Sequence, residues 1–368
     1  MQTIKTKKTA FNAIHHILGG KMVDFAGYEM PVKYKGVNHE HEIVRNGVGV
    51  FDVSHMGEIS IQGKGALPLI QKITSNDASK LIPGKVQYSC MPNDTGGIVD
   101  DLLVYMIGQD DYLLVVNASN IQKDLSWILS NNSFGVEIIN ISDSISLLAV
   151  QGPKAVKVLQ KLTDIKLKDL EYYTFTIGEF ASIPNVLLSS TGYTGAGGFE
   201  IYIENRYAAH LWETIFEAGN EENIEPVGLA ARDTLRLEMG FCLYGNDIDD
   251  FTSPLEAGLG WITKFTKDFV HSGFLKIEKE KGITKKLVGF EIEDKGIPRH
   301  GYEIWNLNRE VIGVVTSSTM SPTLKKAIGM GYISTEYSNI GDEIFINIRN
   351  KPVKAIIVRT PFIKKSSD

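Results

Sequence analysis

Cysteine is nearly absent from this chain: there are two in 368 residues, Cys90 and Cys242. They form no C-x-x-C pair and no metal-ligand spacing, which excludes a disulfide scaffold and a cysteine-held metal, and the sparse usage fits a reducing compartment. No apolar run approaches the roughly 20 residues of a membrane-spanning helix. The basic start Met1–Lys8 is followed by no apolar segment, so it does not read as a signal peptide. Positive charge is not in excess. Thirty-eight Lys and Arg against 44 Asp and Glu leave a net charge of −6, so the chain as a whole carries no electrostatic footprint for nucleic acid. These absences point to a soluble cytoplasmic protein with no membrane, nucleic-acid or metal partner.

Common chemical signatures are missing too. No G-x-S-x-G nucleophile elbow occurs. Gly84-Lys85 lacks the upstream Gly and the following Ser or Thr of a phosphate loop. Gly195-Ala196-Gly197-Gly198-Phe199-Glu200 has Glu where a dinucleotide fingerprint has its third Gly, and it opens a strand instead of a helix. His39-Glu40-His41-Glu42 suggests a metal site, but two His at i, i+2 fall on different faces of a helix, so the segment is expected to be a solvated helical face.

What the chain does have is glycine: 35 residues, about 9.5% against an average of about 7%. Glycine lets backbone turn tightly or come close to another group. Alternation of apolar and polar residues predicts strands at 57–63, 86–92, 98–107, 111–117, 136–141, 145–150, 172–177, 185–190 and 199–203. Helical periodicity predicts helices at 119–130, from Gly152-Pro153 to 161, at 206–218, from Pro226 to Met239 and at 271–281, with a polar loop at 243–250. After about 284 helical periodicity stops. Short strands at 287–293, 302–305, 311–316, 328–333, 343–348 and 353–359 read as a small all-β barrel or sandwich. The fold class is α+β, with a mixed region at 1–283 built as two interleaved lobes and a β domain at 284–368.

Three patterns could carry chemistry. Asp100-Asp101 lies mid-strand in an apolar run, where acids are costly unless solvated or hydrogen-bonded. Adjacent strand residues point to opposite faces, so at most one of the two faces a given pocket. An edge strand with both acids in water explains the pair equally well. The loop 191–200 brings glycine backbone to Glu200, whose carboxylate could accept two parallel bonds from an N–C–N edge; an ordinary turn has the same pattern. Arg232 and Arg236, at i, i+4 on one helix, could clamp an anion or form a surface ion-pair ladder.

The residues resemble the aminomethyltransferase (T-protein) family of the glycine cleavage system. The matching segments are Lys21–Pro31 (KMVDFAGYEMP), Phe51–Met56 (FDVSHM), Gly96–Leu102 (GGIVDDL), Gly192–Gly195 (GYTG), Ala231–Glu238 (ARDTLRLE), Leu243–Asp249 (LYGNDID) and Ser321–Leu324 (SPTL). The resemblance implies three lobes around a central folate channel, two mixed α/β lobes and a C-terminal β-barrel. It implies transfer of a one-carbon unit from the aminomethyl-lipoyl arm of H-protein to tetrahydrofolate, with 5,10-methylenetetrahydrofolate and ammonia as products. On this resemblance Asp101 is catalytic, Glu200 reads the amino-pyrimidine edge of the pterin, and Arg232 binds folate. Tyr193, Met56, Tyr88 and Asn117 match positions that line the channel. Related alternatives are a folate-dependent demethylase and a non-catalytic folate protein of iron–sulfur assembly; Cys242 lacks the preceding Lys of the latter's motif. Ala196 replaces an acid common in the family, Tyr28 stands where Trp is common, and the tail 362–368 lacks a late Tyr.

Overall fold

The computed structural model describes residues 6–363. The first five residues of the basic start and the tail residues 364–368 lie outside the described residues. The chain divides into two compact units. The first comprises Met1–Leu67, Lys80–Gln87 and Leu103–Asp233; the second comprises Pro68–Ser79, Tyr88–Leu102 and Thr234–Asp368.

In the first unit a six-stranded sheet has the order Phe175–Phe180, Ile183–Ser189, Gly198–Glu204, Ile145–Gln151, Gly49–Asp52 and Glu225–Pro226. Its apolar face carries Val50, Leu148, Val150, Phe199 and Ile201, all nearly inaccessible to solvent. The helix Ala208–Gly219 covers them with Leu211, Trp212 and Ile215, the i, i+1, i+4 stripe that its periodicity promised. A five-stranded sheet, whose strands Val86–Pro92 and Ile98–Gly108 are divided between the two units, has the order Val86–Pro92, Ile98–Gly108, Asp111–Val116, Gly57–Gln62 and Glu137–Asn140.

The second unit contains the expected β domain, as a closed six-stranded barrel. Its strand order is Lys285–Ile292, Ala327–Ser334, Val311–Met320, Glu303–Trp305, Glu343–Ile348 and Lys351–Val358. Ile344 with Ile346, and Ala355 with Ile357, are buried at alternate positions, which is the period-two pattern of strands with one face inward. Closure removes every exposed edge.

Four expectations are corrected. The segment His39–Glu42 is helical, within Val37–Asn46, but it is not a solvated face: Glu40 and His41 are buried. Glu40 turns back on the chain. It accepts the backbone N–H of Tyr34 (2.8 Å) and Gly36 (2.9 Å) on Oε1 and of Gly228 (2.8 Å) on Oε2. Three charge-assisted bonds repay the loss of water. Pro226 does not begin a helix. It lies in a two-residue strand parallel to Gly49–Val50, and the helix starts at Leu229, after Gly228. The strands expected at 172–177 and 185–190 sit at Phe175–Phe180 and Ile183–Ser189. Their turn, Ala181-Ser182, has positive φ at both residues without the Gly or Asn that signals such a turn. Finally, Asp100-Asp101 is not on an edge: its strand is second in its sheet, and Asp100 is fully buried.

Two glycines prove obligatory where the acids follow them. A Cβ on Gly97 would lie 1.8 Å from the Asp250 carbonyl oxygen, and one on Gly198, at φ +128°, would lie 2.2 Å from that of Val150. Neither obstacle is a movable side chain, so only glycine fits.

Candidate functional site

In the first unit, polar side chains gather around Glu200. The strand Gly198–Glu204 pairs with Ile183–Ser189, placing Glu200 opposite Ser189. Thr191 donates its hydroxyl to Glu200 Oε2 at 2.5 Å. Tyr105, fully buried, reaches Ser189 Oγ (3.1 Å), Thr191 Oγ1 (3.3 Å) and Tyr202 Oη (3.0 Å), so a hydroxyl network fixes the strand that presents Glu200. Burial pushes the Glu200 carboxyl above the ordinary range, while the Thr191 bond and the Arg232 charge pull it back toward the anion.

Arg232 projects from the helix Leu229–Glu238 and lies over the Tyr193 ring, 4.7 Å from its centroid. Cation–π stacking of this kind fixes the guanidinium plane. Its Nη1 is shielded from solvent and has no hydrogen-bond partner among the described residues. The same holds for Nδ1 of His55, which is 3% exposed and meets Phe25 edge-on at 5.3 Å. Burial, assisted by the Arg232 charge, lowers the His55 pKa to about 4, so the ring is neutral at pH 7. Met56 and Asn117 stand just beyond the ladder pair Gly57↔Val116, at one end of their strands, both partly exposed.

In the second unit, Tyr88 donates its hydroxyl to Asp101 Oδ2 at 2.9 Å. Burial and the Asp101 charge raise the Tyr88 pKa, so the phenol stays protonated and remains a donor. Tyr88 also packs against Trp261, with centroids 6.0 Å apart. Alternation along Ile98–Gly108 puts Asp100, Leu102 and Val104 on a buried face and Asp101, Leu103 and Tyr105 on the other, so the two acids do have separate environments. Among the described residues no group of three or more His, Cys, Asp or Glu is arranged to hold a metal ion.

Two family models match the sequence. The GCVT N-terminal domain covers residues 11–267 and the glycine cleavage T-protein C-terminal barrel domain covers residues 285–364. The chain belongs to the glycine cleavage T-protein family. An aminomethyltransferase of Flavobacterium psychrophilum is 61% identical over 359 residues, spanning 98% of this chain and 100% of the relative. That of Porphyromonas gingivalis is 57% identical over 361 residues, spanning 97% and 100%. The crystal structure of the glycine cleavage system aminomethyltransferase T from Bartonella henselae superposes with a TM-score of 0.91 at 32% identity, covering 98% of both chains. The chain is accordingly an aminomethyltransferase, and the mixed α/β architecture with a barrel is that of its family.

Several family motifs serve the frame of this enzyme. The two arginines form no surface ladder. Arg236 is 1% exposed and donates to Asp247 Oδ2 (2.8 Å), to the Phe241 carbonyl (2.9 Å) and to Ser317 Oγ (2.9 Å). Asp247 also accepts from Thr316 Oγ1 (2.5 Å) on its other oxygen, and from Ser317 Oγ (2.9 Å) and the Leu243 N–H (2.9 Å). Glu238 accepts from Ser321 Oγ (2.5 Å) and Thr323 Oγ1 (3.0 Å). The segments Ala231–Glu238, Leu243–Asp249 and Ser321–Leu324 are thus tied together by hydrogen bonds to the buried Arg236, Asp247 and Glu238. Sequence reasoning missed Thr191, Tyr105, His55 and Glu58. Thr191 opens the quoted glycine loop and His55 lies inside the FDVSHM segment, so position could have flagged both. Glu58 gave no signal, because alternation in 57–63 assigns it to the polar, solvent-facing side, whereas it is 1% exposed.

Proposed function

We propose that this chain takes the one-carbon unit from the aminomethyl-lipoyl arm of the glycine cleavage H-protein and delivers it to tetrahydrofolate, giving 5,10-methylenetetrahydrofolate, ammonia and H-protein with its lipoyl arm released as the dithiol. The observation that carries this reading is Glu200. Its carboxylate is held on one oxygen by Thr191 and is offset by the Arg232 charge, an arrangement suited to accepting adjacent N–H groups of an amino-pyrimidine. Arg232 Nη1 and His55 Nδ1, shielded and without hydrogen-bond partners among the described residues, fit a site completed by a ligand, because most buried polar atoms of a folded protein are hydrogen-bonded.

Tetrahydrofolate supplies the nucleophilic nitrogens that take up the carbon. Glu200 would fix the ring's in-plane orientation, and Arg232, braced on Tyr193, would bind it through a directed N–H. Asp101 would act as the catalytic group, holding or moving a proton on its carboxylate and stabilising positive charge that develops on the transferred carbon. Tyr88 supports that role by donating to Oδ2, which favours the anion and fixes its direction. Tyr193, Met56, Tyr88 and Asn117 complete the lining in this reading. Holding both reactants in place accounts for much of the acceleration, which is why a protein nucleophile is not required. Cytoplasmic placement is part of the same proposal and is supported by the sparse use of cysteine, two in 368 residues.

The test is reconstitution. The protein is mixed with tetrahydrofolate and aminomethylated lipoyl H-protein, and ammonia and methylenetetrahydrofolate are measured. Folate-dependent release of ammonia is expected; release that is indifferent to folate would refute the reading.

A further inference from the structure

Glu58 has no part in the function described above, and its position is costly. It lies in the strand Gly57–Gln62, 1% exposed, and neither carboxyl oxygen has a hydrogen-bond partner among the described residues. A buried polar group left unpaired costs about 1–3 kcal/mol, and more if it is charged. A residue kept there for packing alone would be apolar.

Strand register locates the side chain. Glu58 stands opposite Val115, and Val115 opposite Leu103, so the three share one face of the sheet. The next row on that face is Ser60, Leu113 and Tyr105. Tyr105 is the residue whose hydroxyl meets Ser189, Thr191 and Tyr202. The face that carries Glu58 is therefore turned toward the strand that presents Glu200. Burial, assisted by the Glu200 charge, drives the Glu58 carboxyl toward its neutral form. The other titratable groups in its field are Tyr202, from the same strand as Glu200, and Tyr28, from the strand Tyr28–Lys33. Lys7 lies over the Tyr28 ring at 5.6 Å but is paired with Asp143 at the surface (2.9 Å).

The two carboxyls thus differ in chemistry. An ionised carboxylate only accepts hydrogen bonds, whereas a neutral carboxyl offers one donor and one acceptor. A pterin's amino-pyrimidinone ring presents N–H donors beside ring nitrogen and carbonyl acceptors, which one carboxylate cannot read completely. We propose that Glu58 is a second ligand-reading carboxyl of this site, donating its O–H to a ring acceptor of the pterin while Glu200 accepts from the neighbouring N–H groups. This inference rests on the folate reading and names a further determinant of its specificity.

Tetrahydrofolate affinity is measured by calorimetry, under anaerobic conditions, for the unaltered protein, Glu58→Gln and Glu58→Leu, from pH 6 to 9, with melting of each apo protein as a control for folding. Glu58→Leu should keep or raise the apo melting temperature, since an unpaired buried carboxyl is removed, yet bind folate at least tenfold more weakly. Glu58→Gln keeps a donor and an acceptor, so it should bind within about threefold at pH 7. It should also lose the weakening that the unaltered protein shows as rising pH ionises Glu58. Unchanged folate affinity in Glu58→Leu, or the same alkaline weakening in Glu58→Gln, overturns the proposal while leaving the folate reading intact. Failure of the unaltered protein to bind tetrahydrofolate overturns both.

Discussion

Replacing Asp247 by alanine tests the network that holds the Arg236 end of the Leu229–Glu238 helix. Asp247 and Arg236 side chains are 0% and 2% exposed and 2.8 Å apart. Truncating one partner of such a pair strands the other as a buried, unpaired charge, at a cost of about 3–5 kcal/mol. The size of the thermal shift then reports what unfolds together. Unfolding entropy is about 2.1 cal/mol/K per residue, so a loss of about 4 kcal/mol lowers the melting temperature by about 5 °C if all 368 residues unfold as one. If the second unit, about 160 residues, melts by itself, the same loss lowers it by about 12 °C. Differential scanning calorimetry of Asp247→Ala separates the two cases. A double variant, Asp247→Leu with Arg236→Met, removes both charges and should recover at least half of the loss. Recovery should be incomplete, since the Leu243 N–H loses its acceptor, whereas Thr316 retains a bond to the Met330 carbonyl at 3.2 Å. A loss below about 1 kcal/mol in the single variant, or a double variant as damaged as the single, would refute the reasoning.

The remaining predictions concern the site and one boundary. Thr191→Val removes a bond to the anionic form of Glu200, so it should weaken folate binding by about 1.5–3 kcal/mol, roughly 10- to 150-fold, at neutral pH. Burial already raises Glu200, and binding that needs its anion is lost as pH falls; in Thr191→Val that loss should set in at a higher pH, and an unchanged pH profile would contradict the assignment. Asp101→Asn should lower turnover far more than folate affinity, whereas Arg232→Ala should chiefly weaken affinity; steady-state kinetics with a binding titration distinguish them. His55, unfolded near 6.5 and folded at about 4, contributes stability that is present above pH 6.5 and lost as pH falls toward 4. The loss from this group is on the order of 3 kcal/mol, and urea unfolding of His55→Gln should show a shallower acid decline. We also propose a domain boundary near residue 283, where 281, 282 and 284 are exposed; limited trypsin digestion should cut first between Lys281 and Lys286, and a first cut elsewhere would reject it.

How much of this was legible in the sequence depended on whether a residue's partner was local. The barrel was legible because each strand carries its own alternation, and Ile344 and Ile346 obey it without reference to anything distant. The environments of Asp100 and Asp101 were legible for the same reason. Glu40 was not, because its acceptor role depends on Gly228, 188 residues away, and helical periodicity says nothing about a carboxylate that folds back onto backbone. Glu58 was hidden by the rule that located its strand: alternation identifies the polar face but cannot tell that another strand covers it. Arg232 and Arg236 share a helix face at i, i+4, yet one stacks on Tyr193 with a vacant N–H and the other is saturated by Asp247, Ser317 and the Phe241 carbonyl. That contrast separates frame from chemistry within one motif. In Ala231–Glu238, Leu243–Asp249 and Ser321–Leu324, the polar atoms of Arg236, Asp247 and Glu238 find their partners inside the protein. Their identity specifies the fold. Polar atoms of Arg232, His55 and Glu58 are instead shielded without a hydrogen-bond partner among the described residues, and in the proposed folate reading these are the donors and acceptors left for the substrate.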